Sequence, residues 1–139
     1  MSTNIIAVEQ PARTASLAER VFVADRALST MSALALVVAG VAIADVLEWP
    51  TWVVVSIGLG LAVNSLLVHM IVRRGEFASL AARASADIDL AWVLASLAIV
   101  SGLLGETSAV GRWLLAGGAV VVGVVAALKV IGIRRLAVP

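Results

Sequence analysis

The chain has 139 residues, of which 62% are hydrophobic and only 14% are charged. A soluble domain carries about 25% charged residues, so the composition indicates a polytopic membrane protein. The net charge of +1 and the lack of a basic stripe with interleaved aromatic residues argue against nucleic-acid binding. With no cysteine, a single histidine and no phosphate-binding or nucleophile motif, the sequence predicts neither a metal site nor a cofactor.

The first segment, residues 1–16, shows no hydrophobic periodicity, and we expect it to be a mobile cytoplasmic tail. Ser16 and Glu19 have the spacing of a capping box, which predicts a helix that begins near Leu17. Two interpretations of this helix are open. It either lies on the inner membrane surface or extends the first membrane helix on the cytoplasmic side.

Four apolar runs follow within residues 17–139, each close to the ~20 residues that a helix needs to cross a bilayer. Because backbone groups find no water in lipid, each run is predicted to be a helix. The expected fold class is all-α, with four transmembrane helices in an up-down bundle made of two hairpins. The predicted spans are 28–49, 52–72, 88–105 and 113–133.

Basic residues are concentrated at one end of the predicted bundle. Nine lie on the side shared by both termini, and only Arg112 lies on the other. The positive-inside rule therefore predicts a multi-pass protein of the cell membrane with both termini cytoplasmic. Lys129 is expected to extend its amine outwards to the interface. The nine residues are Arg13, Arg20, Arg26, Arg73, Arg74, Arg83, Lys129, Arg134 and Arg135.

Spans two and four also suggest a weak tandem repeat. Segments 52–74 and 113–135 both open with Trp and close with Arg-Arg, and the same offset of 61 aligns Asp45 with Glu106. Such an arrangement occurs in parallel-repeat transporters. The same end residues are typical of any outward-to-inward helix, so duplication and chance similarity stay open as alternatives.

Small residues indicate how the helices pack. Because small side chains let helices approach closely in lipid, a stripe of them predicts a contact face, within one chain rather than across a dimer seam. The predicted packing positions are Ala91, Ala95, Ala98, Gly102 and Gly105 of span three, together with Gly60 of span two.

Asn64 is the deepest polar residue of span two, about 18 Å below Trp52 by helical rise. An interhelical hydrogen bond is the simpler interpretation, and contact with a substrate or ion is the functional one. Asp45 and Glu48 share a face near the outer end of span one, and Glu106 ends span three. Solvated charge is their simpler interpretation, and Asp45 is the first candidate for a ligand or proton pathway.

At the inner side, His69 and Asp89 lie within two turns of the cytoplasmic interface. They could form a proton relay, but a histidine at headgroup level is the more ordinary interpretation. The sequence contains no acid–base or metal cluster with a plausible spacing, so an enzyme is the less favoured class.

Three functions remain. The favoured one is a non-enzymatic accessory or interaction protein, in contact with membrane lipids and with a second copy or another membrane protein. The alternative is a small oligomeric transporter or channel for an ion or small solute, using Asn64 and Asp45. The third is a membrane enzyme acting on lipid or isoprenoid groups.

Overall fold

The computed structural model describes residues 15–136, and within this range helices are the only regular secondary structure. Five helices follow one another: α1 (Leu17–Val38), α2 (Gly40–Leu47), α3 (Thr51–Arg74), α4 (Leu80–Val100) and α5 (Ala109–Leu136). Residues 1–16 were predicted to be mobile, and residues 1–14 of that segment lie outside the described range.

The first predicted span is longer than expected and is broken. Helix α1 begins at Leu17, where the hydroxyl of Ser16 accepts a hydrogen bond from the Glu19 amide at 3.2 Å. The predicted cap is therefore confirmed, and the segment after it extends the first helix. The break falls at Ala39 (φ −101°, ψ 18°), and α2 starts at Gly40. A side chain at residue 40 would come within 2.9 Å of Val55, so the glycine allows α2 to lie close against α3.

Helix α3 begins one residue before the predicted second span and ends two residues after it. Pro50 precedes its first residue, where a missing amide proton has no cost. Gly75 ends it with a φ of 67°, a left-handed conformation that glycine adopts without steric strain. The turn from Glu48 to Pro50 makes α2 and α3 antiparallel neighbours.

Helix α4 differs from the predicted third span at both ends. It begins at Leu80, capped by the Ser79 hydroxyl, and it ends at Val100. Gly102 (φ 81°) and Gly105 (φ 132°) lie in the following turn, in backbone conformations that do not continue a helix. The predicted stripe of small residues therefore stops at Ala98, because the chain leaves the helix before Gly102.

Three helices within residues 15–136, namely α1, α3 and α5, are long and apolar enough to cross a membrane. Helix α4 is not among them, and its first half carries Arg83, Asp87 and Asp89. The arrangement is a helical, membrane-like bundle, as expected for a small integral membrane protein.

The helices associate as two pairs, α1 with α3 and α4 with α5, with apolar clusters towards the ends of the bundle. One cluster lies where α1 and α4 begin and α3 and α5 end, and Phe22, Val68 and Ile133 belong to it. The other joins α2 to the start of α3 through Ala44, Leu47 and Val54. The space between the two clusters is not filled by side chains, and the candidate functional site borders this space.

Candidate functional site

The centre of the site is Lys129 on α5, whose side chain is fully buried. Its Nζ lies 2.6 Å from Oδ2 of Asp25 on α1 and 2.5 Å from Oδ2 of Asp89 on α4. We call Asp25, Asp89 and Lys129 the charge cluster. The expectation that Lys129 extends its amine outwards is wrong, because the amine points inwards to two carboxylates. Without Lys129, eight of the nine basic residues predicted at the end that carries both termini still bear on the predicted membrane orientation.

Neighbouring side chains hold the charge cluster in place. The ammonium of Lys129 donates to Oγ of Ser85 at 2.9 Å and lies 5.1 Å from the centroid of the Phe22 ring. The hydroxyl of Ser29 donates to Oδ1 of Asp25 at 3.2 Å, one helical turn along α1. Buried charges are tolerated when they are paired and hydrogen-bonded. Each charge of this cluster is paired, but Oδ2 of Asp25 accepts no hydrogen bond from the described residues.

The charge cluster lies well inside the bundle. By helical rise, Asp25 is roughly 12 Å from the start of α1, Asp89 roughly 14 Å from the start of α4, and Lys129 roughly 10 Å from the end of α5. Two carboxylates face one ammonium, so one negative charge is in excess when all three groups are ionised. Ionisable groups within membrane-spanning helices are functional-site candidates by default.

A cavity of about 850 Å³ lies beside the charge cluster, between the helix pairs, and all five helices line it. Its walls are almost entirely apolar. Asp25, Asp89, Ser29 and Asn64 are among its few polar lining residues, whereas Lys129 does not line it. The carboxylates therefore border the cavity, and the ammonium lies behind them, away from it. Its volume falls within the range of small-molecule sites, which are mostly apolar with a few polar groups.

Asn64 contributes the polar group of α3. It is 4% exposed, and its Oδ1 accepts no hydrogen bond from the described residues. The sequence predicted an interhelical hydrogen bond here, and none involves the Asn64 side chain within residues 15–136. Leaving a buried polar atom unpaired costs about 1–3 kcal/mol. An unpaired amide beside a cavity is readily explained by a ligand that supplies the missing partner.

The structure brings together two of the six sequence-predicted site residues, Asn64 and Asp89, at the cavity. His69 is half-buried on α3, and Asp89 pairs with Lys129 rather than with the histidine. The other three predicted site residues, Asp45, Glu48 and Glu106, are exposed and do not line the cavity.

The predicted packing residues have mixed positions. Gly60, Ala91 and Ala95 line the cavity, and Ala98 is half-buried on α4. Small side chains at these positions keep the cavity open. The most deeply buried positions of α4 are instead Ala82, Ser85, Ala86, Asp89 and Ser96, on a neighbouring face of the helix.

The sequence interpretation missed Asp25 and Lys129. One available signal was that Lys129 is the only lysine in the chain and interrupts a long apolar run. A lysine there needs a counter-charge if it does not reach the interface. The second signal was the spacing of Ala18, Phe22, Asp25, Ser29 and Ala33, which places the carboxylate on the buried face of α1.

At the opposite end, a set of hydrogen bonds joins α2 to the segment before α5. The Thr107 hydroxyl donates to the Leu47 carbonyl at 2.8 Å, and the Ser108 hydroxyl donates to the Val46 carbonyl at 2.5 Å. Trp49 Nε1 donates to the Glu106 carbonyl at 3.2 Å. Because Leu47 and Trp49 also line the cavity, these bonds fix the end of the cavity that lies away from the charge cluster.

Within residues 15–136, no group of three His, Cys, Asp or Glu side chains is suited to hold a metal ion. No family model matches the chain, and no similar curated protein or solved structure is found. The class of the protein therefore rests on the fold and the site, which are those of a small helical, membrane-like protein with a half-open apolar cavity bordered by two buried carboxylates.

Proposed function

We propose that this protein is a small membrane transporter whose bundle binds a small amphiphilic solute. The observation that carries the proposal is the cavity of about 850 Å³, with apolar walls and the buried carboxylates of Asp25 and Asp89 at one end. Mostly apolar walls with a small number of polar groups are the arrangement expected of a small-molecule site.

The proposed arrangement in the membrane has four crossings. The first consists of α1 and α2, and α3, α4 and α5 supply the others, as an up-down bundle of two hairpins. Helix α4 can be included because its charge at Asp89 is paired inside the bundle and Asp87 and Arg83 lie in its first turns. The eight basic residues outside the charge cluster favour cytoplasmic termini. The tandem repeat stays a prediction.

The proposal can be tested by filling the cavity. Gly118 of α5 lines it, and a Cβ added there meets nothing within 4 Å, so Gly118→Leu adds a four-carbon side chain at the cavity wall. Val120 lies on the same helix, is 67% exposed and does not line the cavity, so Val120→Leu is the matched control.

The measurement is binding of 1-aminoanthracene, a neutral probe that fluoresces in apolar surroundings, to the full chain in nanodiscs. We expect saturable binding to the wild type and to Val120→Leu, and at least tenfold weaker binding to Gly118→Leu. Binding no greater than that of empty nanodiscs, or equal binding by all three proteins, contradicts the proposal and favours the accessory-protein interpretation.

A further inference from the structure

The charge cluster also points to the chemical class of the solute. Two carboxylates share one ammonium, so the cluster carries one uncompensated negative charge in its ionised form. An isolated excess charge in an apolar interior is costly, and a ligand of opposite charge relieves that cost. Through this excess charge, the site favours cations over anions.

The positions of the three charged groups also favour a cation over an anion. Asp25 and Asp89 line the cavity, whereas the Lys129 amine is fully buried behind them and held by Ser85. An anion in the cavity would meet carboxylate edges before it met the ammonium. A cation would contact the carboxylates directly, and opposite charges in contact attract strongly in a low-dielectric environment.

The remaining lining of the cavity defines the rest of the ligand. Leu28, Ile57, Val121 and Trp92 are among the apolar residues on four different helices that surround the space. The face of an indole ring such as that of Trp92 also attracts cations. The unpaired amide of Asn64 can present either its oxygen or its nitrogen after rotation about its last bond, so it adapts to a polar group on the ligand.

We propose that the cavity binds a lipophilic monocation, with the positive charge beside Asp25 and Asp89 and the apolar body against the walls. This inference rests on the proposed function, since it names the class of solute for the same cavity. Asp25→Asn and Asp89→Asn each remove the excess negative charge and leave Lys129 with one carboxylate partner. Either variant therefore keeps a neutral, paired cluster.

The test compares two probes of nearly identical shape and opposite charge, tetraphenylphosphonium and tetraphenylborate. Binding to the full chain in nanodiscs is followed by fluorescence in a Trp52→Phe, Trp113→Phe background. These two tryptophans are 72% and 81% exposed and lie outside the cavity, so the remaining signal comes from Trp49 and Trp92, which line it. Empty nanodiscs correct for partition into lipid.

The expected result is saturable binding of tetraphenylphosphonium at least tenfold tighter than that of tetraphenylborate. Asp25→Asn and Asp89→Asn should each weaken phosphonium binding tenfold or more. Asp87→Asn, an exposed carboxylate two residues from Asp89, should change it less than twofold. Size-exclusion profiles and circular dichroism report whether each variant is folded.

The outcomes separate the two proposals. If both probes bind equally and the Asp25 and Asp89 variants behave like wild type, the cation inference fails while the cavity remains a binding site. If neither probe binds saturably but 1-aminoanthracene does, the cation inference again fails alone. If no probe of any charge binds, both proposals fail together.

Discussion

Removing the ammonium of the charge cluster should destabilise the fold strongly. Lys129→Met keeps the length and apolar volume of the side chain and deletes its charge. Asp25 and Asp89 are 5% and 6% exposed, so two carboxylates that shared one cation would be left buried against each other. Removing one partner of a buried ion pair costs about 3–5 kcal/mol, because the remaining charge is uncompensated.

Neutralising all three groups of the charge cluster should recover much of the lost stability. Replacing a buried ion pair or triad by neutral groups of similar volume is often neutral or stabilising. We therefore expect the triple variant Asp25→Asn, Asp89→Asn, Lys129→Met to recover at least half of the stability lost in Lys129→Met. Asp25→Asn alone, which leaves a neutral Asp89–Lys129 pair, should cost less than either.

The assay is reversible unfolding in mixed micelles with increasing dodecyl sulfate, followed by circular dichroism. Arg83→Met is the control, because Arg83 is an exposed basic residue of α4 and surface substitutions change stability by about 0.5 kcal/mol or less. Stability of Lys129→Met within about 0.5 kcal/mol of the wild type, as small as a surface effect, would refute the reasoning. So would a triple variant no more stable than the single one.

Three further predictions concern the packing of α3, the hydrogen bonds at the end of the cavity away from the charge cluster, and the orientation of the protein in the membrane. In α3, Gly60→Ala should stabilise the fold by about 0.5–1 kcal/mol in the same unfolding assay, because the added Cβ meets open space. Gly58→Ala should instead destabilise the fold, because its Cβ would lie 2.9 Å from the Leu36 side chain. Equal effects would contradict the packing. Thr107→Val should lower stability by about 1 kcal/mol through loss of a buried hydrogen bond, and an unchanged midpoint would contradict it. In intact cells, a membrane-impermeant maleimide should label a cysteine at Thr51 but not at Arg74, and the reverse pattern would invert the proposed orientation.

The helical class and most element positions could be predicted from the sequence because they depend on local signals. The capping residues Ser16 and Gly75 and the apolar runs each act within a few residues of the chain. The break at Ala39 could not be predicted in this way, because it accompanies the close approach of Gly40 to Val55 on another helix. The early start of α4 was hidden by its charged first turns.

The site was harder to predict because its residues are distant in the chain. Asp25, Asp89 and Lys129 come from three helices, and no local pattern distinguishes a paired lysine from one that reaches the interface. Asn64 was predicted as a polar residue deep in span two and is buried within the protein, but the lack of a partner for its Oδ1 depends on the packing of neighbouring helices. Asp45 was favoured for its place in an apolar run, yet α2 turns it to the exterior.

The chemical reactivity of the only lysine tests the buried charge cluster most directly. In nanodiscs, acetic acid N-hydroxysuccinimide ester should leave Lys129 unmodified, because its amine is fully buried against Asp25 and Asp89, while a lysine introduced by Arg83→Lys at an exposed position should be acetylated in the same sample. After unfolding in dodecyl sulfate, mass spectrometry should find both lysines modified. Acetylation of Lys129 in the folded protein at the rate of the introduced lysine would contradict the account.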